Sequence, residues 1–222
     1  DDDARICDLL RRYLTQEGFE VMVAEDGKAL NRILLREQNL SGHLENADGG
    51  TVEYRGTPVL RGGSGLRRLR HDSGLIYQDP YGSLDPRWTV GDIVAEPLSL
   101  RRRGSRPDPA GIRENVHAAL ERVGLDAGVF IDRYPMDLSG GQAQRVVIAR
   151  AIINEPKVIL ADEPTGNLDS KNGAEVMQLL TELNREGTTI VMVTHSKHDA
   201  SFAHRIINLF DGSIVSSVNE FI

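Results

Sequence analysis

The sequence predicts an α/β fold built on a parallel β-sheet. Two short apolar runs, residues 158–161 and 188–194, have the length and composition of strands buried on both faces. Segments with helical spacing of apolar residues alternate with these runs, and such alternation is typical of βαβ units. Of the 222 residues, 40% are hydrophobic and 27% are charged, which is the composition of a folded globular protein.

The first half of the chain predicts short elements separated by glycines. Apolar residues with helical spacing predict a helix over residues 4–17 that ends at Gly18, and residues 19–24 (FEVMVA) predict a strand. The other predicted elements are a helix over 29–37, strands with a turn near Gly56 over 51–60, a flexible basic segment over 61–71, and a strand over 74–77.

The second half of the chain has a more regular pattern. It predicts a helix over residues 110–123 with a stop at Gly124, and further helices over 142–153 and 174–183. The apolar residues of the first of these helices share one face: Ile112, Val116, Ala119, Leu120 and Val123. Gly187 is expected to end the last helix. A hairpin is predicted over 205–217, around the Asp211-Gly212 dipeptide.

Charge and composition exclude several classes of protein. The net charge of −7 disfavours nucleic acid as a partner, because phosphate backbones attract basic surfaces. The single cysteine, Cys7, cannot form an internal disulfide and suits a reducing cytosol. No apolar run approaches the roughly 18 residues that span a bilayer, and the chain opens on three aspartates instead of a signal peptide. Any role at a membrane is therefore expected to depend on a partner.

Residues 138–142 (LSGGQ) open one of the predicted helices. Ser139, Gly140 and Gly141 there can present backbone N–H groups to an anion without obstruction by side chains. The alternative interpretation is an ordinary helix N-cap, with glycines that allow close packing.

Polar residues also follow the predicted strands, where α/β proteins bind their ligands. Asp162 and Glu163 come directly after VILA, His195 comes directly after TIVMVT, and Gln78 comes directly after GLIY. Asp162 can hold Mg²⁺, and Glu163 can polarise a water that attacks phosphorus. A histidine or a glutamine at a strand end is more often structural, and an acidic pair can simply cap the next helix.

These motifs occur together and in a fixed order: Gln78, LSGGQ, the Asp162-Glu163 pair, Asp169 in NLDS, and His195 in THS. From about residue 74 to the end, the chain resembles the ATP-binding subunit of ABC transporters. The resemblance implies a P-loop NTPase-like ABC ATPase core, a single domain over residues 1–222 with a mostly helical subdomain at 86–137. It also implies hydrolysis of ATP with Mg²⁺.

The resemblance further implies a composite site between two copies, or one copy and a paralogous ATPase subunit, that face head to tail. LSGGQ, from Ser139 through Gln142, then binds the γ-phosphate of the nucleotide held by the partner. Asp162 and Gln78 organise Mg²⁺, and Glu163 is the general base. His195 positions water and phosphate, and Asp169 communicates between the two sites. Transmembrane permease subunits are the expected partners, which places the chain in the cytoplasm at the inner face of the membrane.

The phosphate loop of this family, GxxxxGK[ST], is absent from the chain. Gly27 and Lys28 stand at the implied distance before Gln78, but Ala29 and Leu30 replace the two hydroxyl residues, and alanine cannot ligate Mg²⁺. Lys28 therefore has two interpretations, a phosphate ligand and a solvated lysine. A catalytically defective nucleotide-binding or structural subunit is the alternative function.

Residues 1–37 are similar to the start of response-regulator receiver domains, from the acidic cluster through the first helix and second strand. The chain is then a mosaic, of natural, engineered or imperfectly assigned origin. A receiver-type signalling module is a further hypothesis, although the strand that would carry an acceptor aspartate is missing. The basic clusters at Arg67, Arg68 and Arg70 and at 101–103 are interpreted as solvated surface instead of a nucleic-acid site.

Overall fold

A computed structural model describes residues 53–54, 57–58, 63–100, 108–210 and 213–215. The strands are β1 (Glu53–Tyr54), β2 (Thr57–Pro58), β3 (Ser73–Ile76), β4 (Val158–Asp162), β5 (Thr189–Val193), β6 (Asn208–Phe210) and β7 (Ser213–Val215). The α-helices are α1 (Ser64–Asp72), α2 (Val90–Ala95), α3 (Pro109–Arg122), α4 (Ala127–Phe130), α5 (Gly140–Ile152), α6 (Ser170–Arg185) and α7 (Lys197–Ala200). Three 3-10 helices cover Tyr81–Ser83, Glu96–Leu100 and Pro135–Asp137. The predicted elements before residue 51 lie outside the described residues.

The chain divides into two compact units, of which the first comprises residues 1–69 and 204–222. Its described strands form two antiparallel pairs, β1 with β2 and β6 with β7. Both pairs confirm the strands predicted around Gly56 and around Asp211-Gly212.

The prediction of a flexible segment over residues 61–71 is wrong, because residues 64–72 form helix α1. Leu66 and Leu69 are buried three residues apart on one face, whereas Arg67 and Arg68 are exposed. Arginine and leucine are both good helix formers, so the run of arginines favours the helix that two buried leucines anchor.

The second unit, residues 70–203, contains a three-stranded sheet in the order β3-β4-β5. Both pairings are parallel, with Ile76 opposite Ala161 and Asp162 opposite Val193 at the ends of the two ladders. This confirms the predicted parallel sheet. It also brings the carboxyl ends of all three strands to one edge, where the polar residues that follow them are collected.

The long helices of this unit begin and end near their predicted limits. Gly124 and Gly187 have backbone φ angles of +73° and +105°, which other residues adopt only at a cost. Each follows a helix closely, and so each acts as the predicted stop.

Helix α5 is the centre of the core, since ten of its thirteen residues are buried. It contacts β3 and helices α2, α3 and α6. The largest side chains buried in this core include Ile76, Ile93, Leu98, Leu120, Ile148 and Ile159. Burying an aliphatic side chain of this size is worth about 1.5–3 kcal/mol relative to exposure, so α5 is held firmly against the sheet.

Between the sheet strands β3 and β4, helices α2, α3 and α4 and the three 3-10 helices precede α5 in the chain. Helices α2, α3 and α4 each begin with a side-chain cap, from Thr89, Asp108 and Asp126 respectively. Each cap accepts a hydrogen bond from a backbone N–H group of the first turn. Among the described residues, no helix combines the length and the apolar character that crossing a membrane requires.

Candidate functional site

The polar edge of the sheet is organised around Glu163, which directly follows β4. Its backbone φ is +44°, a strained value for a residue with a side chain. Its N–H group donates a 2.9 Å hydrogen bond to the carbonyl oxygen of Val193, the last residue of β5. The pairing of the strands is thereby continued into the turn, and this fixes the direction in which the Glu163 side chain leaves the sheet.

The carboxylate of Glu163 is held by the residues that follow β5. Oε1 accepts a 2.8 Å hydrogen bond from the backbone N–H of His195, and Oε2 accepts a 3.3 Å hydrogen bond from the hydroxyl of Thr194. The Glu163 side chain is only 14% exposed, whereas that of His195 is 98% exposed, with Nε2 3.6 Å from Oε1. The structure thus brings the two predicted catalytic residues together and aims an immobilised carboxylate at the sheet edge.

Gln78 lies on the neighbouring loop, after β3. Its backbone carbonyl accepts a 3.0 Å hydrogen bond from the side-chain amide of Asn167. Its own side-chain amide lies beside Gly166, where an added Cβ would be 3.2 Å from Nε2 of Gln78 and 3.4 Å from Cβ of Glu163. A Cβ at position 166 would be in tight contact with both groups, so glycine there allows the Gln78 side chain to lie close to the turn at Glu163.

Asp162 ends β4, one residue before Glu163. Within the part of the chain that the structure describes, its carboxylate has no hydrogen-bond or ion-pair partner, which leaves its oxygens available to a cation. The same described residues contain no cluster of three or more His, Cys, Asp or Glu side chains suited to a metal. This donor set fits Mg²⁺, which takes one or two protein oxygens and completes its shell with water and phosphate oxygens.

The LSGGQ residues form the start of α5. The Ser139 hydroxyl accepts a 3.3 Å hydrogen bond from the N–H of Gln142, whose side-chain oxygen accepts a 2.9 Å hydrogen bond from the N–H of Ser139. This capping box means that the N-cap interpretation of Ser139 is correct as local structure. The positive end of a thirteen-residue helix dipole remains at this exposed position, which is also what anion binding requires.

Asp169 caps the neighbouring helix α6 and lies beside α5. Its carboxylate accepts hydrogen bonds from the N–H groups of Lys171 and Asn172 and from the side-chain amide of Asn172, the last at 2.6 Å. The hydrogen bonds from Asn172 hold the pKa of Asp169 below its usual range. A Cβ added to Gly141 would lie 2.6 Å from Cγ of Asn172, so the start of α5 packs directly against the cap of α6.

One residue of this site is missing from the sequence-based predictions. The amide Nε2 of Gln144 donates hydrogen bonds to the carbonyl oxygens of Tyr77 and Pro164, which adjoin Gln78 and Glu163. The sequence does contain a signal for Gln144. It shares the helical phase of Val147 and Ile148, and is therefore a polar residue on the apolar face of its helix. The predicted phosphate-binding residues Gly27 and Lys28 lie outside the described residues.

The arrangement therefore supplies a fixed carboxylate, an available aspartate and two adjoining helix N-termini at one sheet edge. The family model described as ABC transporter matches residues 37–166, more than half of the chain. The chain belongs to the ABC transporter family. Its fold is that of the ABC ATPases, its nucleotide is ATP, and its family activity is ATP hydrolysis.

Two relatives and one solved structure represent the family. The chain is 40% identical over 207 residues to the uncharacterized ABC transporter ATP-binding protein MJ1508 of Methanocaldococcus jannaschii, covering 92% of this ABC ATPase and 88% of the relative. It is 54% identical over 200 residues to the macrolide export ATP-binding/permease protein MacB of Chlorobium phaeobacteroides, covering 89% of the chain but only 28% of that protein. A dimeric, post-hydrolysis ATP-binding cassette, MJ0796 bound to ADP and Pi, superposes with a TM-score of 0.66 at 37% identity, covering 81% of this chain and 77% of that one.

The comparisons correct the interpretation of the chain's beginning. The family match begins at residue 37, well before residue 74, near which the resemblance of the motifs begins. The alignment with MJ1508 leaves out less than a tenth of the chain, so it extends into residues 1–37. The receiver-like interpretation rested on the local similarity of those residues alone and is not supported, because an ABC ATP-binding protein accounts for much of the same segment.

Proposed function

We propose that two copies of this chain, or one copy and a paralogous subunit, bind and hydrolyse ATP in composite sites between them. The observation that carries the proposal is the Glu163 carboxylate, which the backbone of His195 and the hydroxyl of Thr194 hold at the polar sheet edge. A carboxylate fixed in this way can accept a proton from a water molecule as that water attacks the γ-phosphate. The exposed imidazole of His195 then positions the water and the phosphate.

Mg²⁺ is proposed to bind at Asp162 and Gln78, where it would neutralise charge that develops on the phosphoryl oxygens. Among the described residues the Asp162 carboxylate has no hydrogen-bond or ion-pair partner, and the Gln78 amide lies beside Gly166 in the turn that follows β4; both observations support this assignment. Gly27 and Lys28 are proposed to contact the phosphates in spite of the degenerate loop around them. Lysine acts there as a point charge. Hydrolysis is expected to be slow because Ala29 and Leu30 replace the two hydroxyl residues of the family loop, and alanine cannot ligate Mg²⁺.

The second half of each composite site is proposed to come from the start of α5. Ser139, Gly140, Gly141 and Gln142 would meet the γ-phosphate of the nucleotide bound to the opposite copy, with the α5 dipole adding favourable charge. Asp169 is proposed to link the two sites, since it caps α6 beside this helix start. The dimeric state of the similar MJ0796 cassette supports the pairing of two copies.

We further propose that the chain is a single ABC ATPase domain over residues 1–222, with a helical subdomain at 86–137, and that it powers transport through transmembrane permease subunits. MacB combines ATP-binding and permease functions in one longer protein, which supports a membrane partner for this chain. The corresponding location is the cytoplasmic face of the membrane, reached through that partner. Export is the direction that the MacB resemblance favours.

Phosphate release by the unmodified chain and by Glu163→Gln tests the proposal. The variant keeps the shape of the side chain but cannot take a proton, so release is expected to fall by about 10²-fold or more. Glu114→Gln, the same change at an exposed position on α3, is the control and should behave as the unmodified chain. Equal activities for Glu163→Gln and the unmodified chain would contradict the role of Glu163.

The composite site is tested by light scattering with Glu163→Gln and saturating ATP. ATP held between two copies without turnover should shift the protein from monomer to dimer. A monomer with ATP bound would contradict the composite site, because LSGGQ would then have no opposite copy whose γ-phosphate it could bind.

A further inference from the structure

Gln144 is a buried polar residue in the apolar middle of α5. Its side chain is 1% exposed, and its Nε2 donates hydrogen bonds of 3.3 Å to the carbonyl oxygen of Tyr77 and 2.8 Å to that of Pro164. Its Oε1 has no hydrogen-bond partner within the described residues. Burying an unsatisfied amide oxygen is unfavourable, and an apolar side chain would fill the same space without that cost. The contribution of the amide therefore lies in its two donated hydrogen bonds.

The two carbonyls lie where strands β3 and β4 separate. The last paired residues of the ladder are Ile76 and Ala161, and both carbonyls come after this pair. The Tyr77 carbonyl belongs to the peptide bond that leads into Gln78, and Pro164 directly follows Glu163. The Gln144 amide thus connects the two chain segments that follow β3 and β4, just beyond the last residues that pair in the sheet.

We propose that Gln144 is a positioning residue that sets the spacing between Gln78 and Glu163, an inference that rests on the proposed ATPase function. The loop of Gln78 is also held from the other side, by the Asn167 amide on the Gln78 carbonyl. Gln144 and Asn167 together fix the two peptide groups that flank Gln78. Because α5 also begins with LSGGQ, Gln144 joins the phosphate-facing helix rigidly to both loops of the hydrolytic site.

The expected consequence is an effect on turnover that exceeds the effect on nucleotide affinity. Removing the amide takes away the hydrogen bond that Gln144 donates to each carbonyl, and the two loops can then shift relative to one another. Alignment of water, metal and phosphate depends on this spacing, and a displacement of about 1 Å at a reacting group can cost on the order of 10²-fold in rate. Most of the proposed phosphate contacts come from Gly27, Lys28 and the LSGGQ residues of the opposite copy, so the affinity for ATP should change less than turnover.

Gln144→Met is the test variant, because methionine has a similar length but donates no hydrogen bond. Gln178→Met makes the same chemical change on the exposed face of α6, where Gln178 donates to Glu182, and serves as the control. We expect the kcat of phosphate release to fall about 10–100-fold in Gln144→Met, with KM for ATP within about 3-fold. Amide hydrogen exchange should become about 10-fold faster or more at residues 78–84 and 163–168, with β4 and β5 unchanged.

Unchanged kcat and unchanged exchange in both loops would overturn the proposal. Faster exchange spread evenly over β4, β5 and the loops would also overturn it, since that would indicate general loosening of the fold. If Gln144→Met does not fold, Gln144→Asn replaces it, because the shorter side chain keeps the amide but cannot reach both carbonyls. If the unmodified chain releases no phosphate, the proposed function fails, and the exchange comparison alone decides the role of Gln144.

Discussion

The backbone N–H of His195 donates a 2.8 Å hydrogen bond to Oε1 of Glu163, while the imidazole of the same residue is 98% exposed. The backbone and the side chain of His195 therefore have separate tasks. The backbone fixes the carboxylate of Glu163, and the imidazole faces the space in which a nucleotide phosphate is proposed to bind. Any substitution of His195 except proline keeps the backbone N–H and therefore the hydrogen bond to Glu163.

His195→Ala should accordingly separate activity from stability. We expect the free energy of unfolding in urea to change by less than about 0.5 kcal/mol, as for other exposed positions, because the backbone hydrogen bond survives. Phosphate release should fall on the order of 10²-fold, since the exposed imidazole is lost from the site. His204→Ala, at another exposed histidine, is the control. A loss of stability well above 1 kcal/mol would show that the imidazole supports the fold.

Tyr81→Phe tests the link between the loop after Gln78 and the start of LSGGQ. The Tyr81 hydroxyl donates a 2.8 Å hydrogen bond to the carbonyl of Leu138, the residue before Ser139. Removing the hydroxyl alone should lower the free energy of unfolding by about 0.5–1.5 kcal/mol, the usual net value of such a bond. Urea unfolding measures the change, with Tyr134→Phe as a control. Equal stability of Tyr81→Phe and the unmodified chain would mean that this bond contributes nothing.

Gly141→Ala should destabilise the chain, although alanine favours helices. The new Cβ would lie 2.6 Å from Cγ of Asn172, whose amide is held by Asp169, so either α5 or the cap of α6 must shift. We expect a loss of about 1–3 kcal/mol in thermal or urea unfolding. Gly140→Ala is the matched control, because a Cβ there would lie 3.8 Å from Cδ2 of Leu168, an ordinary van der Waals contact. A loss of similar size in both variants would show that the Asn172 contact is not the cause.

Rebuilding the phosphate loop should raise ATP hydrolysis. The unmodified residues 22–30 lack the first glycine of GxxxxGK[ST] and the hydroxyl that ligates Mg²⁺, and loss of such a metal contact typically costs about 10–100-fold. Replacing residues 22–30 by a complete GxxxxGKST segment, which keeps Gly27 and Lys28 in register, should restore at least that factor in phosphate release. Strong activity of the unmodified chain, abolished by Glu163→Gln, would show that the loop is adequate as it stands. Inactivity of both versions would contradict the proposed hydrolysis of ATP by this chain.

Much of the secondary structure of the second unit can be predicted from the sequence, because the local patterns of apolar residues and glycines agree with the tertiary packing. Helix α3 carries its apolar residues on one face and stops at Gly124, where the positive φ matches the requirement for glycine. The strands β4 and β5 are continuous apolar runs, as parallel buried strands are. The prediction of a flexible segment over residues 61–71 is wrong because glycines and arginines alone do not indicate flexibility. Buried Leu66 and Leu69 determine a helix there.

The sequence by itself determined which residues make up the proposed hydrolytic site, because Gln78, LSGGQ, Asp162, Glu163 and His195 stand in motifs that are recognisable one segment at a time. Only the tertiary structure decided how these residues are held. The His195 bond to Glu163, the contact of Gly141 with Asn172, and the bridge from Gln144 to Tyr77 and Pro164 join segments 20 to 67 residues apart. Hydrogen bonds of this kind depend on the distance between backbone groups after the sheet and α5 have packed, and no local pattern of residue types encodes that distance.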